Sequence, residues 1–237
     1  MPAAAFFDLD GTLLTANSGG LWMRRERRLG RLSLWQVIEG TLYLFAYRFH
    51  ALDMEQVTVR ALRTVKGEQE ETVRQWTVAW FYDEVVPHEA PGARAALAAH
   101  RDRGDRLVLL TSASRYESEA ATDFFGLDDF LCTRYEVRDG LFTGDIVRPL
   151  CYGAGKVAHA ERYAEEHGLD LAESTFYTDS FSDIPMLRRV GHPRVVRPDL
   201  RLRLTARLNR WPILDWGSQA AGTKSHLTRP PAAEKNL

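Results

Sequence analysis

Four carboxylates, a threonine and a lysine carry the chemistry open to this sequence. Asp8 and Asp10 stand in Asp8-Leu9-Asp10-Gly11-Thr12, directly after the apolar run Ala3–Phe7. Thr111 and Ser112 follow the apolar run Arg106–Leu110, Lys156 opens a helical segment, and Asp179 and Asp183 follow Ser174–Thr178. A free aspartate titrates at about 3.9, so Asp8 is expected to be an ionised nucleophile that needs no activating base. Asp8, Asp10, Asp179 and Asp183 with Lys156 leave a net charge of −3, which one divalent cation reduces to −1. Like charges this close repel, so the metal has to be in place before a phosphate dianion enters. Oxygen-only ligands and a phosphate substrate select Mg²⁺, which keeps some of its waters. The chemistry expected is phosphoryl transfer. Asp8 attacks phosphorus in line, and Asp10 gives a proton to the leaving oxygen and later takes one from water. The Thr111 hydroxyl and nearby backbone N–H groups, Ser112 through its backbone, hold the phosphoryl oxygens, and Lys156 neutralises developing charge.

Positioning these groups requires strands that end beside one another. Ala3–Phe7, Arg106–Leu110, Phe130–Cys132, Ser174–Thr178 and Arg194–Val196 read as short buried strands. Helices are predicted over Ala93–Arg103, closed by Gly104, over a segment opened by the Ser114/Glu117 capping box and running to Phe125, from Gly153 to His167, and from Asp183 with Pro185 in its first turn. Tyr135–Val147 reads as a hairpin turning at Asp139-Gly140. Strand–helix alternation of this kind predicts an α/β fold, a doubly wound, Rossmann-like parallel sheet with helices on both faces. Ligands of such sheets bind at the carboxyl ends of the strands, where the chemistry-bearing residues fall. Leu21 to Val86 is a helical block with one weak break near Lys66-Gly67. Inserted after the first strand, it is expected over that edge as a lid.

The chain has 237 residues, 45% hydrophobic and 27% charged, with a formal net charge of −1. That balance excludes disorder throughout and gives no global reason to expect a nucleic-acid partner. Cys132 and Cys151 form no C-x-x-C pair, so neither a disulfide framework nor a zinc knuckle is implied, and a reducing cytoplasm fits. Met1-Pro2-Ala3 lacks a basic leader region and is not read as a signal peptide. Leu34–Phe49 is very apolar but contains Glu39 and Gly40 and falls short of a membrane span, so it reads as a buried helix. Contact of this segment with a membrane surface or a partner is the alternative. No transmembrane segment is expected.

Together the four motifs resemble those of the haloacid dehalogenase-like superfamily, and Phe6–Leu14, FFDLDGTLL, is similar to its first signature. The resemblance runs to about Trp216. It implies that Asp8, the backbone carbonyl of Asp10, and Asp179 bind Mg²⁺, and that Asp183 orients Lys156 and a metal-bound water. Asp10 separates this sequence from ion-pumping relatives, which carry Thr there, and from dehalogenase relatives, which lack that carboxylate. The lid lies between the first and second motifs, and EVRDGLFTGDIV and YTDSFSDIPML resemble the phosphoserine phosphatase-like branch, subfamily IB. The implied division is a catalytic core of residues 1–16 and 87–216, a helical C1-type cap over 17–86, and a disordered tail over 217–237. The implied activity is that of a Mg²⁺-dependent phosphatase acting on a small phosphorylated metabolite through an aspartyl-phosphate.

Phosphoserine phosphatases typically place a Glu shortly after the first motif. Here Leu14-Thr15-Ala16-Asn17-Ser18 follows, with no acid before Glu26. The segment from Thr133 through Trp211-Pro212-Ile213 also resembles a histidinol-phosphate phosphatase branch. A phospho-accepting switch and a non-catalytic phosphate-binding module are the readings from other classes. Gly153-Ala154-Gly155-Lys156 is not a P-loop, because Leu150 replaces its first Gly and Val157 its Ser/Thr. Arg24, Arg25, Arg27, Arg28 and Arg31 read as a solvated helix face, His159 and His167 as surface residues, and Arg201–Arg210 as an amphipathic helix packed on the domain.

Overall fold

Phe6 and Phe7, adjacent in the first strand, are both fully buried on opposite faces of one sheet, and that alternation organises the molecule. The computed structural model describes residues 2–30 and 54–217. Leu34–Phe49 and all of the tail beyond Gly217 lie outside the described residues. Seven strands, β1 (Ala4–Phe7), β2 (Arg106–Ser114), β3 (Asp129–Arg138), β4 (Leu141–Val147), β5 (Thr175–Thr178), β6 (His192–Val196) and β7 (Ile213–Leu214), form one sheet in the order β4-β3-β2-β1-β5-β6-β7. All pairings are parallel except the β3–β4 hairpin.

Helices cover both faces, as a parallel sheet requires. On one face α4 (Ala93–Asp102) and α5 (Arg115–Phe125) bury Leu97, Ala121 and Phe125 against Phe7, Leu107 and Leu109. On the other, α6 (Ala154–His167), α7 (Ile184–Arg189) and α8 (Leu200–Leu208) bury Ala160, Met186 and Leu202 against Phe6, Val108 and Phe176. The expected doubly wound α/β architecture is present.

The strand bounds differ from expectation in three places. β2 continues through Thr111 to Ser114, because Ser114 pairs with Thr133 across an irregularity after Leu110. β3 runs unbroken from Asp129 into the hairpin. β7 adds a short edge beside β6. His159 is buried rather than on the surface, its Nε2 bonded to the Pro149 carbonyl at 2.9 Å, while His167 is exposed. In α8, Leu202 and Ala206 pack inward and Leu200, Leu204 and Leu208 stay exposed.

The block after β1 contributes α1 (Ser18–Arg28), α2 (Met54–Leu62) and α3 (Glu70–Trp80). Trp22 of α1 meets Trp80 of α3 edge-on at 5.0 Å between ring centroids. Arg24, Arg27 and Arg28 are exposed, as a solvated face requires, while Arg25 is half-buried; Arg25 and Arg28 both face Glu84. The turn at Gly67 is tied to the hairpin: Gly67 N–H donates to Phe142 O at 2.8 Å and Glu70 N–H to Gly140 O at 2.9 Å. Among the described residues no helix is long and apolar enough to cross a membrane.

Candidate active site

Sheet register brings the separated motifs to one edge. Phe7 pairs with Leu109 on one side and Tyr177 on the other. Asp8 therefore stands level with Leu110 and Thr178, and Thr111 and Asp179 follow one residue beyond. Asp8 N–H donates to Tyr177 O at 2.9 Å, which extends the β1–β5 ladder into the site. Leu9–Leu13 then makes a wide turn that reverses the chain. Gly11 has φ of +70° there, and a Cβ on it would fall 2.1 Å from Asp179 Oδ2. Only glycine lets this turn lie against that carboxylate.

Lys156 enters from the first turn of α6 and is 2% exposed. A Cβ on neighbouring Gly155 would fall 2.0 Å from Leu150 O, so this glycine serves close helix packing. Lys156 Nζ donates to Asp8 Oδ1 at 3.0 Å and to Asp183 Oδ2 at 2.8 Å. Thr178 Oγ1 donates to the same Asp183 oxygen at 2.7 Å. Burial disfavours the ammonium, but Asp183 and Asp8 outweigh it and hold the lysine well above its usual value.

Asp10 is held from the opposite side. Ser18 donates to it from its N–H at 2.8 Å and from its hydroxyl at 3.1 Å, and Asn17 Nδ2 from 3.2 Å. Asn17 also caps α1, accepting from Gly20 N–H at 2.9 Å. Neither residue is singled out by spacing. Their signal is the helix-cap chemistry of Asn-Ser directly after the first motif. Burial raises Asp10 to about 6, against the Ser18 bonds that lower it.

Without a cation, burial raises Asp8 to about 7, Lys156 opposes that rise and Asp183 reinforces it. Asp179 is pushed well above the usual carboxylate range by burial and then by Asp8, Asp183 and Asp10. Thr111 is buried, its Oγ1 accepting from Ala113 N–H at 3.1 Å, and Ser112 is exposed.

Divalent-cation chemistry fits these donors. Asp183 Oδ1 is buried without a hydrogen-bond partner among the described residues. One lysine serves this cluster of acids, and burial with mutual repulsion holds protons on Asp8, Asp10 and Asp179 that a cation would displace. No three side chains of ligating type already converge among the described residues. A set of two carboxylates, Asp8 and Asp179, with the Asp10 carbonyl and water is of the kind Mg²⁺ accepts.

Two further residues have roles at the site that the sequence motifs do not announce. Arg197 Nη2 donates to the carbonyls of Gly11, Thr12 and Leu14 at 2.8, 3.2 and 2.9 Å, clamping the turn after β1. Glu117 N–H is capped by Ser114 Oγ at 3.3 Å, as the capping box predicts. Its carboxylate does not close that box: it faces Asp10 and Ser18, and burial followed by the Asp10 charge raises it to about 8.

A doubly wound sheet with an aspartate pair after its first strand and a buried lysine joining the first and fourth motifs defines a class of hydrolases, and the sequence comparisons agree. The chain belongs to the haloacid dehalogenase-like hydrolase family, whose profile matches residues 5–188. It is an enzyme of the phosphoric monoester hydrolase type. It is 34% identical over 227 residues to phosphoserine phosphatase SerB1 of Mycobacterium tuberculosis, covering 91% of this chain and 71% of that one. It is 25% identical over 221 residues to a histidinol-phosphatase of Neisseria meningitidis serogroup C, covering 91% of this chain and all of the relative. A phosphoserine phosphatase structure described as a phospho-aspartyl intermediate analogue shares the fold, with a TM-score of 0.67 at 19% identity over 90% of this chain and 92% of that one.

Proposed function

We propose that this protein is a Mg²⁺-dependent phosphatase that hydrolyses a small phosphomonoester through an aspartyl-phosphate on Asp8. The observation that carries the reading is the Asp8–Lys156–Asp183 chain at the carboxyl edge of the sheet, with Asp10 held apart by Ser18. Mg²⁺, held by Asp8, the Asp10 carbonyl and Asp179, would supply positive charge against the phosphate oxygens.

An Asp8 carboxylate oxygen attacks phosphorus and the bond to the leaving oxygen breaks. Asp10 gives its proton to that oxygen, and its raised pKa leaves a proton available near neutral pH. Asp10, now ionised, takes a proton from water as the water oxygen attacks phosphorus, releasing phosphate and restoring Asp8. Lys156 keeps its charge throughout and offsets the negative charge that builds on the phosphoryl group. Thr111 and the Ser112 backbone orient that group, and Asp183 fixes the lysine.

In this reading residues 1–16 and 87–216 are the catalytic core and residues 17–86 the cap. Both cysteines are free and buried, which accords with a reducing cytoplasm. Phosphoserine is the first substrate to try. Histidinol phosphate is the second, favoured by the Neisseria relative and by the lack of an acid between Gly11 and Arg25.

Phosphate release is measured over a panel of small phosphomonoesters with Mg²⁺ or EDTA. One or more esters are expected to be hydrolysed with Mg²⁺ only, and Asp8→Asn is expected to lower kcat by at least about 10³-fold. Full activity of Asp8→Asn would sink the mechanism. A phospho-aspartate persisting for minutes would point to a switch, and ligand binding without release to a binding module.

A further inference from the structure

Glu117 is the buried carboxylate that this reaction leaves idle. It stands in the first turn of α5, six residues beyond Thr111. It is 8% exposed, and its Oε1 has no hydrogen-bond partner among the described residues. Buried carboxylate oxygens are costly to leave unmet, so an orphan beside a catalytic group points to a ligand. The neighbours fix which ligand. The Ser18 hydroxyl that holds Asp10 also lies against Glu117, and the Asp10 charge reaches it. Tyr135 of β3 feels the Glu117 charge from the hairpin side. No lysine or arginine of the described residues acts on Glu117. Asp10 serves the leaving oxygen, so Glu117 flanks the space where the leaving group lies.

We propose that Glu117 selects the substrate: its carboxylate receives a positively charged group, an ammonium or an imidazolium, carried by the leaving group of the phosphomonoester. This rests on the phosphatase reading above. A cation answers every feature of the spot. It gives the orphan Oε1 a donor, and its charge favours the ionised form of a carboxyl that burial otherwise keeps protonated. An anionic or purely apolar leaving group would leave the carboxylate unmet.

The test compares matched esters: phosphoethanolamine against 2-hydroxyethyl phosphate, and histidinol phosphate and phosphoserine against glycerol 3-phosphate. The wild-type enzyme is expected to prefer a cationic member by at least about tenfold in kcat/KM. Glu117→Gln, which keeps the shape and removes the charge, is expected to collapse that ratio towards one, mainly through KM, and Glu117→Asp to recover part of it. No preference in the wild type overturns the proposal. So does a Glu117→Gln loss equal on both members, which would place Glu117 in support of Asp10. If Glu117→Gln does not fold, the wild-type ratio decides alone. Failure of the phosphatase reading looks different: no ester releases phosphate. Calorimetric titration of the same pairs into Asp8→Asn, with and without Glu117→Gln, then decides. Charge-selective binding that Glu117→Gln abolishes keeps the proposal, and equal binding overturns it.

Discussion

Arg197 shows how one side chain far along the chain makes the first motif work. Three consecutive-region carbonyls of the Leu9–Leu13 turn and its exit converge on its Nη2. Without it those acceptors lose a charged donor, and the turn that presents Asp8 and the Asp10 carbonyl loses its brace. Arg197→Met is expected to lower stability by roughly 1–3 kcal/mol, the usual cost of leaving buried polar groups unmet. It is also expected to lower kcat and raise the Mg²⁺ concentration needed for half-maximal rate. Urea unfolding together with a Mg²⁺ titration of the rate checks both, and an unchanged urea midpoint would remove Arg197 from this role. Asp8, Asp10, Thr111, Lys156, Asp179 and Asp183 were legible because each lies within a short, type-specific pattern. Arg197 belongs to no pattern: its partners are more than 180 residues away. Glu117 was legible only as half of a helix cap, because the side of the helix its carboxylate faces is set by packing against Ser18 and Tyr135.

Elements were legible where the apolar period was clean and blurred where tertiary pairing decided. β1 and β5 match their apolar runs almost residue for residue. Thr111–Ser114 lies beyond the apolar run, yet pairing of Ser114 with Thr133 keeps it extended. The hairpin was expected, but not its attachment to the helical insert. Phe142 of β4 exchanges backbone bonds with Gly67 and Glu68 and sits in a small cluster with Val73 of α3, Tyr116 of α5 and Tyr135. The Tyr116 ring meets Phe142 edge-on at 5.9 Å. The hairpin therefore anchors the insert to the core. Phe142→Ala empties that cluster and is expected to destabilise the protein by about 3–5 kcal/mol. Because Asp8 and Lys156 lie outside the cluster, KM is expected to rise more than kcat falls at a temperature where the variant stays folded. A kcat loss with unchanged KM would separate the hairpin from substrate enclosure.

For the whole molecule, the crowded edge of the sheet sets the pH dependence of stability. Burial raises Asp8 to about 7 despite Lys156, Asp10 to about 6 despite Ser18, and Glu117 to about 8 with help from Asp10. Asp179 rises in the same direction, through burial and the same acids. In the unfolded chain these carboxyls release their protons near pH 4. Between there and about pH 8 these four carboxyls bind more protons in the native state than in the unfolded state, so the stability they contribute falls as pH rises through that window, opposed in part by His100 and His159, which burial lowers. The contribution is fully present below the unfolded values and is lost as pH passes the folded ones. Asp105 and Glu136 have the opposite sign. Hydrogen bonds from His100 and Arg103 outweigh burial at Asp105, and those from Thr143 and Arg138 lower Glu136, so their contribution is lost only towards acid pH. In EDTA the urea midpoint is therefore expected to decline from about pH 5 to pH 8. A divalent cation among Asp8, Asp10 and Asp179 favours their ionised forms, so saturating Mg²⁺ is expected to raise the midpoint most at the alkaline end and flatten the slope. Parallel curves with and without Mg²⁺ would mean that the cation does not bind among these carboxylates, and the charge balance on which catalysis at Asp8 depends would have to come from another source.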